Sequence, residues 1–386
     1  MKVLLVATVQ SHICQFHKPL VNMLHEHGVE VHVAARNNLA EKNGLALDFV
    51  EKVFDIPFAR SPKSKNNIIA YKQLKKIIDE GHYDVVHCNT PMGGIVTRLA
   101  ARNARKHGTK VYYTAHGFHF YKGAPKKNWI VFYPIEKFFA DHFTDKVITI
   151  TKEDYRLASK KFNTIVEHMH GVGVNEEKYL SVTPVETKKF RQENKFDEHF
   201  VILCTGELNK NKNQQVLVQA MEEVVKKCPN VLLLLAGNGP EEMNLKDQIE
   251  EAGLSACIQL LGYHTDLEKY VNASDLVVSA SKREGLPLNI MEAMLCGKAV
   301  VASNNRGHRE LIENSVTGTV VAECSPNQIA EATLELIEDS GKRKKYGDAA
   351  KKTIQPYTSK NITKELQSIY AVSYTHLRAH ETGAYL

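Results

Sequence analysis

The chain of 386 residues is 43% hydrophobic and 24% charged and has no apolar run of membrane-spanning length, so it predicts a globular protein of two domains and excludes an integral membrane protein. Its seven cysteines are scattered singly, without C-x-x-C spacing, which excludes a disulfide framework or a cysteine zinc site and predicts a cytoplasmic location. The net charge of +6 favours an anionic partner such as a nucleotide, a lipid pyrophosphate or a phospholipid surface; since no recognised binding motif accompanies it, we expect no nucleic-acid partner.

Strand-like and helical segments alternate through the first half of the chain. The predicted strands are 3–7, 30–35, 53–56, 85–88, 111–114 and 147–150, and the predicted helices are 19–27, 67–80 and 94–107. This alternation predicts a parallel sheet covered by helices, with ligands at the carboxyl ends of the strands. The first strand leads into V-Q-S-H-I-C-Q-F-H instead of G-x-G-x-x-G, so we expect no dinucleotide site in this half.

Histidines follow two of these strands. The segment T-A-H-G-F-H-F places His116 directly after a buried strand, with His119 and Phe120 close behind it, and His12 follows the first strand. A histidine at a strand end either stabilises the fold or donates a hydrogen bond to a ligand, for example to a sugar hydroxyl. His116 is the main candidate for the second role, while His12, His119 and Phe120 are weaker candidates on the acceptor side of the same site.

Lysines and aromatic residues are interleaved in the segment 121–143, Y-K-G-A-P-K-K-N-W-I-V-F-Y-P-I-E-K-F-F-A-D-H-F. Such interleaving suits an interfacial contact with a membrane. It equally suits a helix whose aromatic residues enter the core while its lysines remain in solvent. The residues alone leave both interpretations open.

The second half shows the same alternation. Its predicted strands are 200–206, 231–239, 258–262, 275–278 and 298–303. Lys212 lies in the loop between the first of these strands and the next helix, at the sheet edge where ligands bind, which favours contact with an anion over simple solvation. For Gly237 and Gly239, a tight turn and the close approach of a ligand are both open.

Two glutamates separated by seven residues mark the most informative segment, S-A-S-K-R-E-G-L-P-L-N-I-M-E-A-M-L-C-G. Glu284 lies in a loop after a buried strand, and Glu292 lies early in a helix that starts at about Leu288 and ends before Gly297. The helix N-terminus can hold a phosphate, and a carboxylate one turn further on can accept bonds from ribose hydroxyls. Unless both glutamates are merely solvated, the pattern indicates a nucleotide-sugar site.

The run E-G-L-P-L-N-I-M-E-A-M-L-C-G-K-A-V-V-A-S resembles the E-x7-E signature of retaining family-4 glycosyltransferases of bacterial exopolysaccharide or capsule type, and the similarity extends to about Ala371. It implies the α/β GT-B fold: two Rossmann-like parallel-sheet domains facing a cleft. Residues 1–168 would bind the acceptor, residues 169–358 the nucleotide sugar, and a helix over 359–371 would cross back to the first domain. Residues 372–386 resemble translated adapter sequence and are predicted to be a non-native tail, so a metal site at His376 and His380 is rejected.

The resemblance implies retaining transfer of a sugar from a nucleotide sugar, expected to be a UDP-sugar, to a hydroxyl of a glycan or lipid-linked acceptor. No metal or other cofactor is expected. Lys212 would stabilise the departing pyrophosphate, Glu292 would hold the ribose, Glu284 would orient the donor sugar, and His116 would assist from across the cleft. The first domain would receive the acceptor, with peripheral contact to the inner face of the plasma membrane. The implied donor-binding residues are Gly206, Lys212, Gly237, Gly262, Tyr263, Gly285, Leu286, Pro287, Leu288, Asn289, Glu292 and Arg306.

Two positions depart from the family pattern. Glu207 stands where the family's G-R-L-x-x-x-K segment has its pyrophosphate-binding arginine, and Arg306 replaces the first glycine of G-G-x-x-E-L. We hypothesise that Arg306 offsets the loss at Glu207. Two alternatives stay open: a sugar-nucleotide epimerase of the same fold, and a non-catalytic nucleotide-sugar-binding protein, to which Glu207 gives weight.

Overall fold

The computed structural model describes the backbone of residues 1–41 and 45–383 and the side chains of residues 1–40 and 45–371. The chain forms two compact units, Met1–Gly173 with Ser359–Leu386, and Val174–Thr358. The division thus falls a few residues after the boundary predicted at 168, and the chain returns to the first unit at Ser359.

Within the described residues, the first unit contains a seven-stranded parallel sheet in the order β3-β2-β1-β4-β5-β6-β7. Its strands are β1 (Lys2–Val9), β2 (Glu30–Arg36), β3 (Lys52–Asp55), β4 (Val85–Asn89), β5 (Lys110–Ala115), β6 (Lys146–Thr149) and β7 (Ile165–His168). Its helices before the division are α1 (Gln10–Phe16), α2 (Lys18–Glu26), α3 (Asn66–Gly81), α4 (Pro91–Ala100), α5 (Arg102–Lys106), α6 (Lys126–Phe143) and α7 (Lys152–Lys161).

The central strands of this sheet read as continuous apolar runs because helices cover both of their faces. In β1, every residue from Val3 to Val9 is buried. Val3 pairs with Val31 of β2 on one side and with Val85 of β4 on the other, and Asn89 of β4 pairs with Thr114 of β5. This parallel register brings the segments that follow β1, β4 and β5 to one edge of the sheet.

The second unit contains a six-stranded parallel sheet, in the order β10-β9-β8-β11-β12-β13 over its described residues. Its strands are β8 (Phe200–Thr205), β9 (Val231–Ala236), β10 (Ile258–Gly262), β11 (Leu276–Ser279), β12 (Val300–Ser303) and β13 (Thr319–Val321). Its helices are α8 (Glu176–Leu180), α9 (Pro184–Glu193), α10 (Gln214–Lys227), α11 (Glu242–Glu251), α12 (Leu267–Ala273), α13 (Leu288–Leu295), α14 (Arg306–Leu311), α15 (Pro326–Glu338) and α16 (Ser340–Thr353).

Two apolar layers cover this second sheet. One contains the inward faces of α10, α11 and α15, with Leu217, Leu245 and Ile329 among its members. The other contains the inward faces of α8, α12 and α13, with Tyr179 and Ile290 among its members. Because neither face of the sheet is open, its polar ligand-type residues emerge at the strand ends.

The last helix, α17 (Ser359–Gly383), belongs to the first unit. Ile362, Leu366, Ile369 and Tyr370 form its buried side, as the helical periodicity predicts. The backbone helix continues past Ala371 into the predicted tail, whose side chains, like residues 384–386 altogether, lie outside the described residues. None of the helices described is both long enough and apolar enough to cross a membrane.

The structure differs from the sequence prediction in the first unit. The segment predicted as one helix over 94–107 is two, α4 and α5, and α4 begins earlier, at Pro91, a residue whose fixed φ suits the first turn. The strand β7 and the helix α1 were not predicted. The lysine and aromatic segment forms α6, in which Trp129 and Tyr133 pack against the core while Ile130 is 74% exposed.

A buried ion pair joins α6 to α4. The Nη1 atom of Arg98 lies 2.6 Å from Oε1 of Glu136, and its Nε atom donates to the Gly94 carbonyl at 3.0 Å. The guanidinium also stacks over the Tyr113 ring, with its carbon 4.1 Å from the ring centroid. Since Arg98 is fully buried, it depends on these partners to offset the loss of water.

We therefore expect Glu136→Ala to lower the free energy of unfolding of the first unit by about 3–5 kcal/mol, because it leaves a buried guanidinium unpaired. Urea unfolding followed by fluorescence of Trp129, the single tryptophan of the chain, measures this change. The control is Glu80→Ala, which breaks an exposed pair with Lys76 and should cost no more than about 0.5 kcal/mol. Similar losses in the two variants would contradict the importance of the buried pair.

Candidate functional site

In the second unit, the loops after β8 and β11 are joined by an ion pair and hydrogen bonds. The Lys212 ammonium lies 2.8 Å from Oε1 of Glu284. Beside it, the Asn211 amide donates to the Arg283 carbonyl at 3.0 Å, and the Lys282 backbone N–H donates to the Asn211 carbonyl at 2.8 Å. The strands β8 and β11 are neighbours in the sheet, so two predicted site residues far apart in sequence lie in direct contact.

Glycines make this contact sterically feasible. Gly206 has φ +142°, and a Cβ there would lie 3.2 Å from the Cε atom of Lys212. Gly237 has φ +147°, and a Cβ would lie 2.0 Å from the Gly206 carbonyl oxygen; one on Gly239 would lie 2.2 Å from the Leu208 carbonyl oxygen. Close backbone packing is therefore sufficient to explain Gly237 and Gly239, whereas Gly206 leaves room for the lysine stem.

The start of α14 packs against Glu284. A Cβ on Gly307 would lie 2.8 Å from the Glu284 Cβ. His308 is fully buried, and its Nδ1 donates to the Ser303 carbonyl at 2.7 Å. Its Nε2 has no hydrogen-bond partner among the described residues. Burial lowers the pKa of His308, although the Ser303 bond and the Glu284 charge oppose that shift, so a neutral ring offers an unused acceptor beside the glutamate.

Glu292 lies in the second turn of α13, where the Tyr179 hydroxyl of α8 hydrogen-bonds to its carboxylate. Burial raises the pKa of Glu292, while this bond and the nearby Lys178 charge act in the opposite direction. Burial and the Glu292 charge raise the pKa of Tyr179. A carboxylate has about four acceptor positions, so one bond from Tyr179 leaves capacity for further hydroxyl groups.

The N-terminus of α13 is suited to negative charge. Its first turn contains no acidic residue, and among the described residues no side chain caps it. The flanking residue is Pro287, and the Asn289 amide donates to the Thr205 carbonyl at 3.0 Å, which fixes the helix start against the end of β8. Its first backbone N–H groups and the positive end of its dipole can therefore act on a bound anion.

The remaining predicted donor-site residues lie around these elements. Gly285 and Leu286 continue the Glu284 loop, and Leu288 starts α13. Gly262 ends β10, and Tyr263, which follows it, is 45% exposed. Arg306 begins α14 and is 7% exposed. Glu207 is exposed, and its carboxylate accepts a bond from the Asn209 amide at 2.9 Å.

A cavity of about 490 Å³ lies beside the β8–α10 loop, lined by polar residues that include Asn209, Lys210, Asn213 and Lys282. Lys212, Glu284 and Glu292 do not line it. The cavity therefore does not coincide with the two glutamates of the signature.

In the first unit, histidines from the ends of β1 and β5 meet. The Nε2 atom of His116 lies 3.2 Å from Nε2 of His12 and 3.1 Å from Oδ1 of Asn89. His17, which was not predicted to be in a site, is 4% exposed and lies beside them, with its ring centroid 5.3 Å from that of His12. Burial lowers the pKa of His116 to about 4, and burial followed by neighbouring histidines lowers those of His12 and His17. All three rings are therefore neutral at pH 7.

The other two weaker first-unit candidates, His119 and Phe120, lie against aromatic residues. Phe120 is 1% exposed and stacks on Phe118 with ring centroids 4.8 Å apart, so packing is sufficient to explain it. The His119 ring lies 4.8 Å from that of Phe132 on α6.

Family models match both units. A model described as Glycosyl transferase 4-like matches residues 2–151, and one described as Glycosyl transferases group 1 matches residues 185–353. A Bacillus subtilis protein named Putative glycosyltransferase EpsD is 38% identical over 373 residues, which are 96% of each chain. The chain therefore belongs to this glycosyltransferase family, and the predicted enzyme class is confirmed.

A more distant relative and a solved structure are also similar to this chain. An Escherichia coli protein named UDP-Gal:alpha-D-GlcNAc-diphosphoundecaprenol alpha-1,3-galactosyltransferase is 25% identical over 313 residues, covering 78% of this chain and 80% of that one. The crystal structure of Anabaena HepE in complex with UDP and glucose matches with a TM-score of 0.77 at 22% identity, covering 96% of this chain and 100% of that one. At 22% identity this match is evidence for the fold alone, and it confirms the predicted GT-B fold.

Buried neutral histidines predict a pH dependence of stability. His87, whose ring bonds to Tyr370 at 2.6 Å and Thr114 at 2.7 Å, has its pKa lowered to about 3 by burial. In the unfolded chain a histidine has a pKa of about 6.5, so below that pH unfolding is accompanied by proton uptake. The free energy of unfolding therefore falls by up to about 1.4 kcal/mol per pH unit for each such histidine. We expect this loss as the pH falls from about 6.5 to about 3, and a shallower dependence of the free energy of unfolding on pH in His87→Gln.

Urea unfolding in EDTA at a series of pH values, followed by Trp129 fluorescence, measures the slope. His107→Gln is the matched control because His107 is exposed and should leave it unchanged. A slope in His87→Gln as steep as that of the wild type would show that His87 does not carry the effect.

Proposed function

We propose that this protein transfers a sugar from a UDP-sugar, with retention of anomeric configuration, to a hydroxyl of a glycan or lipid-linked acceptor. The observation that carries the proposal is the contact between Lys212 and Glu284 beside the uncapped start of α13. Support for the nucleotide and the acceptor comes from relatives: the E. coli protein is named for UDP-Gal and a diphosphoundecaprenol acceptor, and HepE was crystallised with UDP.

The two charges have separate proposed tasks. Lys212 and the N–H groups at the start of α13 place positive charge where the leaving pyrophosphate gains negative charge, which stabilises the transition state electrostatically. When Lys212 turns to the pyrophosphate, the Glu284 carboxylate becomes free to accept bonds from hydroxyls of the donor sugar.

Glu292 is the proposed ribose ligand. It lies one turn inside the helix whose N-terminus would hold the phosphates, and the Tyr179 hydroxyl hydrogen-bonds to its carboxylate. Tyr179 thus acts as a positioning residue that the sequence did not indicate.

In this proposal the transfer needs no metal ion at the pyrophosphate, because Lys212 and the helix N-terminus provide the charge. Retention through front-side substitution is inferred from the family resemblance, as is the role of His116 towards the donor sugar.

We also propose that the protein works in the cytoplasm, at the inner face of the plasma membrane, in polysaccharide assembly on a lipid carrier. The outward side of α6 supports this: Ile130, Ile135 and Phe138 are 74%, 40% and 50% exposed, and Lys126 and Lys127 at the start of the helix are exposed too. Apolar side chains next to lysines suit the surface of an anionic membrane.

A non-catalytic nucleotide-sugar-binding protein is the second candidate, because the exposed Glu207 replaces a pyrophosphate-binding arginine. It predicts UDP-sugar binding without release of UDP in the presence of any acceptor. An epimerase would instead convert the UDP-sugar with no acceptor present.

The donor site is tested by calorimetry with UDP, GDP, ADP and common UDP-sugars in EDTA. We expect selective binding of UDP, weakened about 10–100-fold in Glu292→Gln, because a hydrogen bond to a charged group contributes about 1.5–3 kcal/mol. Glu251→Gln, at an exposed position on α11, is the control and should bind UDP like the wild type. No response to any nucleotide, or equal affinity in the two variants, would contradict the proposed site.

The hypothesis that Arg306 offsets the loss of the arginine at Glu207 is tested by comparing two alanine variants. We expect Arg306→Ala to weaken UDP binding at least tenfold and Arg309→Ala, which changes an exposed arginine three residues on, to leave it within about twofold, because only a buried, poorly screened charge acts strongly on the pyrophosphate. Arg306→Lys should recover part of the affinity, which separates loss of charge from loss of folding. Equal effects of the two alanine substitutions would refute the compensation.

A further inference from the structure

We propose that His12, His17 and His116 form a binding site for one divalent transition-metal ion of the zinc type. The site lies in the first unit and uses none of the donor-binding residues Lys212, Glu284 and Glu292. Of the residues proposed for the transfer reaction it shares His116. It goes beyond that reaction because no metal ion acts on the pyrophosphate there.

The positions of the imidazole nitrogens carry the inference. Candidate ligand nitrogens of the three histidines all lie within 4.8 Å of one another. The Nε2 atoms of His12 and His116 are 3.2 Å apart. Two nitrogens bound to one tetrahedral zinc at about 2.0–2.1 Å are about 3.3 Å apart, so this pair already has the separation that chelation needs. The widest pair would have to approach by at most about 1.5 Å for a regular tetrahedron.

His17 supplies a second, independent observation. It is 4% exposed, and its Nε2 has no hydrogen-bond partner in the part of the chain that the structure describes. A buried polar nitrogen without a partner costs about 1–3 kcal/mol. Coordination of a metal ion through Nε2 would satisfy this nitrogen. His17 lies between α1 and α2, and its ring centroid is 6.0 Å from that of His116.

The chemistry of the three rings fits a metal. Zinc, cobalt, nickel and copper bind the neutral imidazole, and burial lowers the pKa of each of these histidines. Three histidines with one open position is a ligand set known for zinc. A water molecule can complete the coordination.

The proposal has a consequence for His116. A metal ion on Nε2 uses the lone pair and excludes the proton that this atom would donate to Asn89 or to a sugar hydroxyl. Metal binding at Nε2 and hydrogen-bond donation from Nε2 are therefore alternatives. The ion would tie α1 and the α1–α2 junction to the end of β5.

The test uses the untagged full-length chain carrying His376→Gln and His380→Gln, so that the C-terminal histidine pair cannot contribute. After EDTA treatment and removal of the chelator, Zn²⁺ is titrated calorimetrically and Co²⁺ by visible absorption. We expect one equivalent of each to bind, tetrahedral-type Co²⁺ bands, and a rise in melting temperature with Zn²⁺. His17→Gln should weaken Zn²⁺ binding at least about 100-fold, since even loss of an outer-shell partner costs 10–100-fold.

The matched control is His107→Gln, which removes an exposed histidine and should change nothing. His12→Gln provides a second variant, and melting in EDTA shows which variants fold. Absence of stoichiometric binding to the parent protein, or binding that survives in folded His17→Gln and His12→Gln, would overturn the proposal and leave a hydrogen-bonded histidine cluster. UDP binding in EDTA is measured separately, so failure of the metal site is distinguishable from failure of the donor site.

Discussion

Parallel strand pairing is the constraint on which both units depend. In each sheet all strands run in one direction, and apolar helices cover both faces, so polar side chains with a chemical task can emerge only where strands end. The pairing of β8 with β11 brings Lys212 and Glu284 together across 72 positions of sequence. The pairing of β1, β4 and β5 does the same for His12, Asn89 and His116.

The two strand-end clusters are opposite in electrostatic character. The second unit keeps charged groups in partial contact with water: the side chains of Lys212 and Glu284 are 22% and 14% exposed. This partial exposure lets an anionic ligand compete with Glu284 for Lys212 in the proposed reaction. The first unit instead holds neutral imidazoles, because burial disfavours their protonation. Neutral rings bind metal ions or share hydrogen bonds, whereas the charged pair is suited to a pyrophosphate.

The two residues that depart from the family pattern, Glu207 and Arg306, differ in their exposure to solvent. Glu207 is exposed, and its carboxylate accepts a hydrogen bond from the Asn209 amide. Water screens the negative charge of an exposed carboxylate, so this charge acts only weakly on the site. Arg306 is buried at the start of α14, next to Gly307, which contacts the Glu284 loop. In the proposed compensation, Arg306 provides after β12 the positive charge that the family pattern has after β8.

The sequence by itself determined the alternation of strands and helices, the family, the loops that contain Lys212 and Glu284, and the helix that contains Glu292, because periodicity and turn residues act over a few positions. It gave no signal for the Tyr179 bond to Glu292, for the unused nitrogen of His308, or for His17 beside His12 and His116, since these contacts join residues on different elements. It also left open which side chains of α6 enter the core. In the structure Tyr133 packs against the core, and Ile130 lies on the surface. Tertiary structure alone decided these points, because burial and long-range pairing set which polar atoms lose water and which partner replaces it.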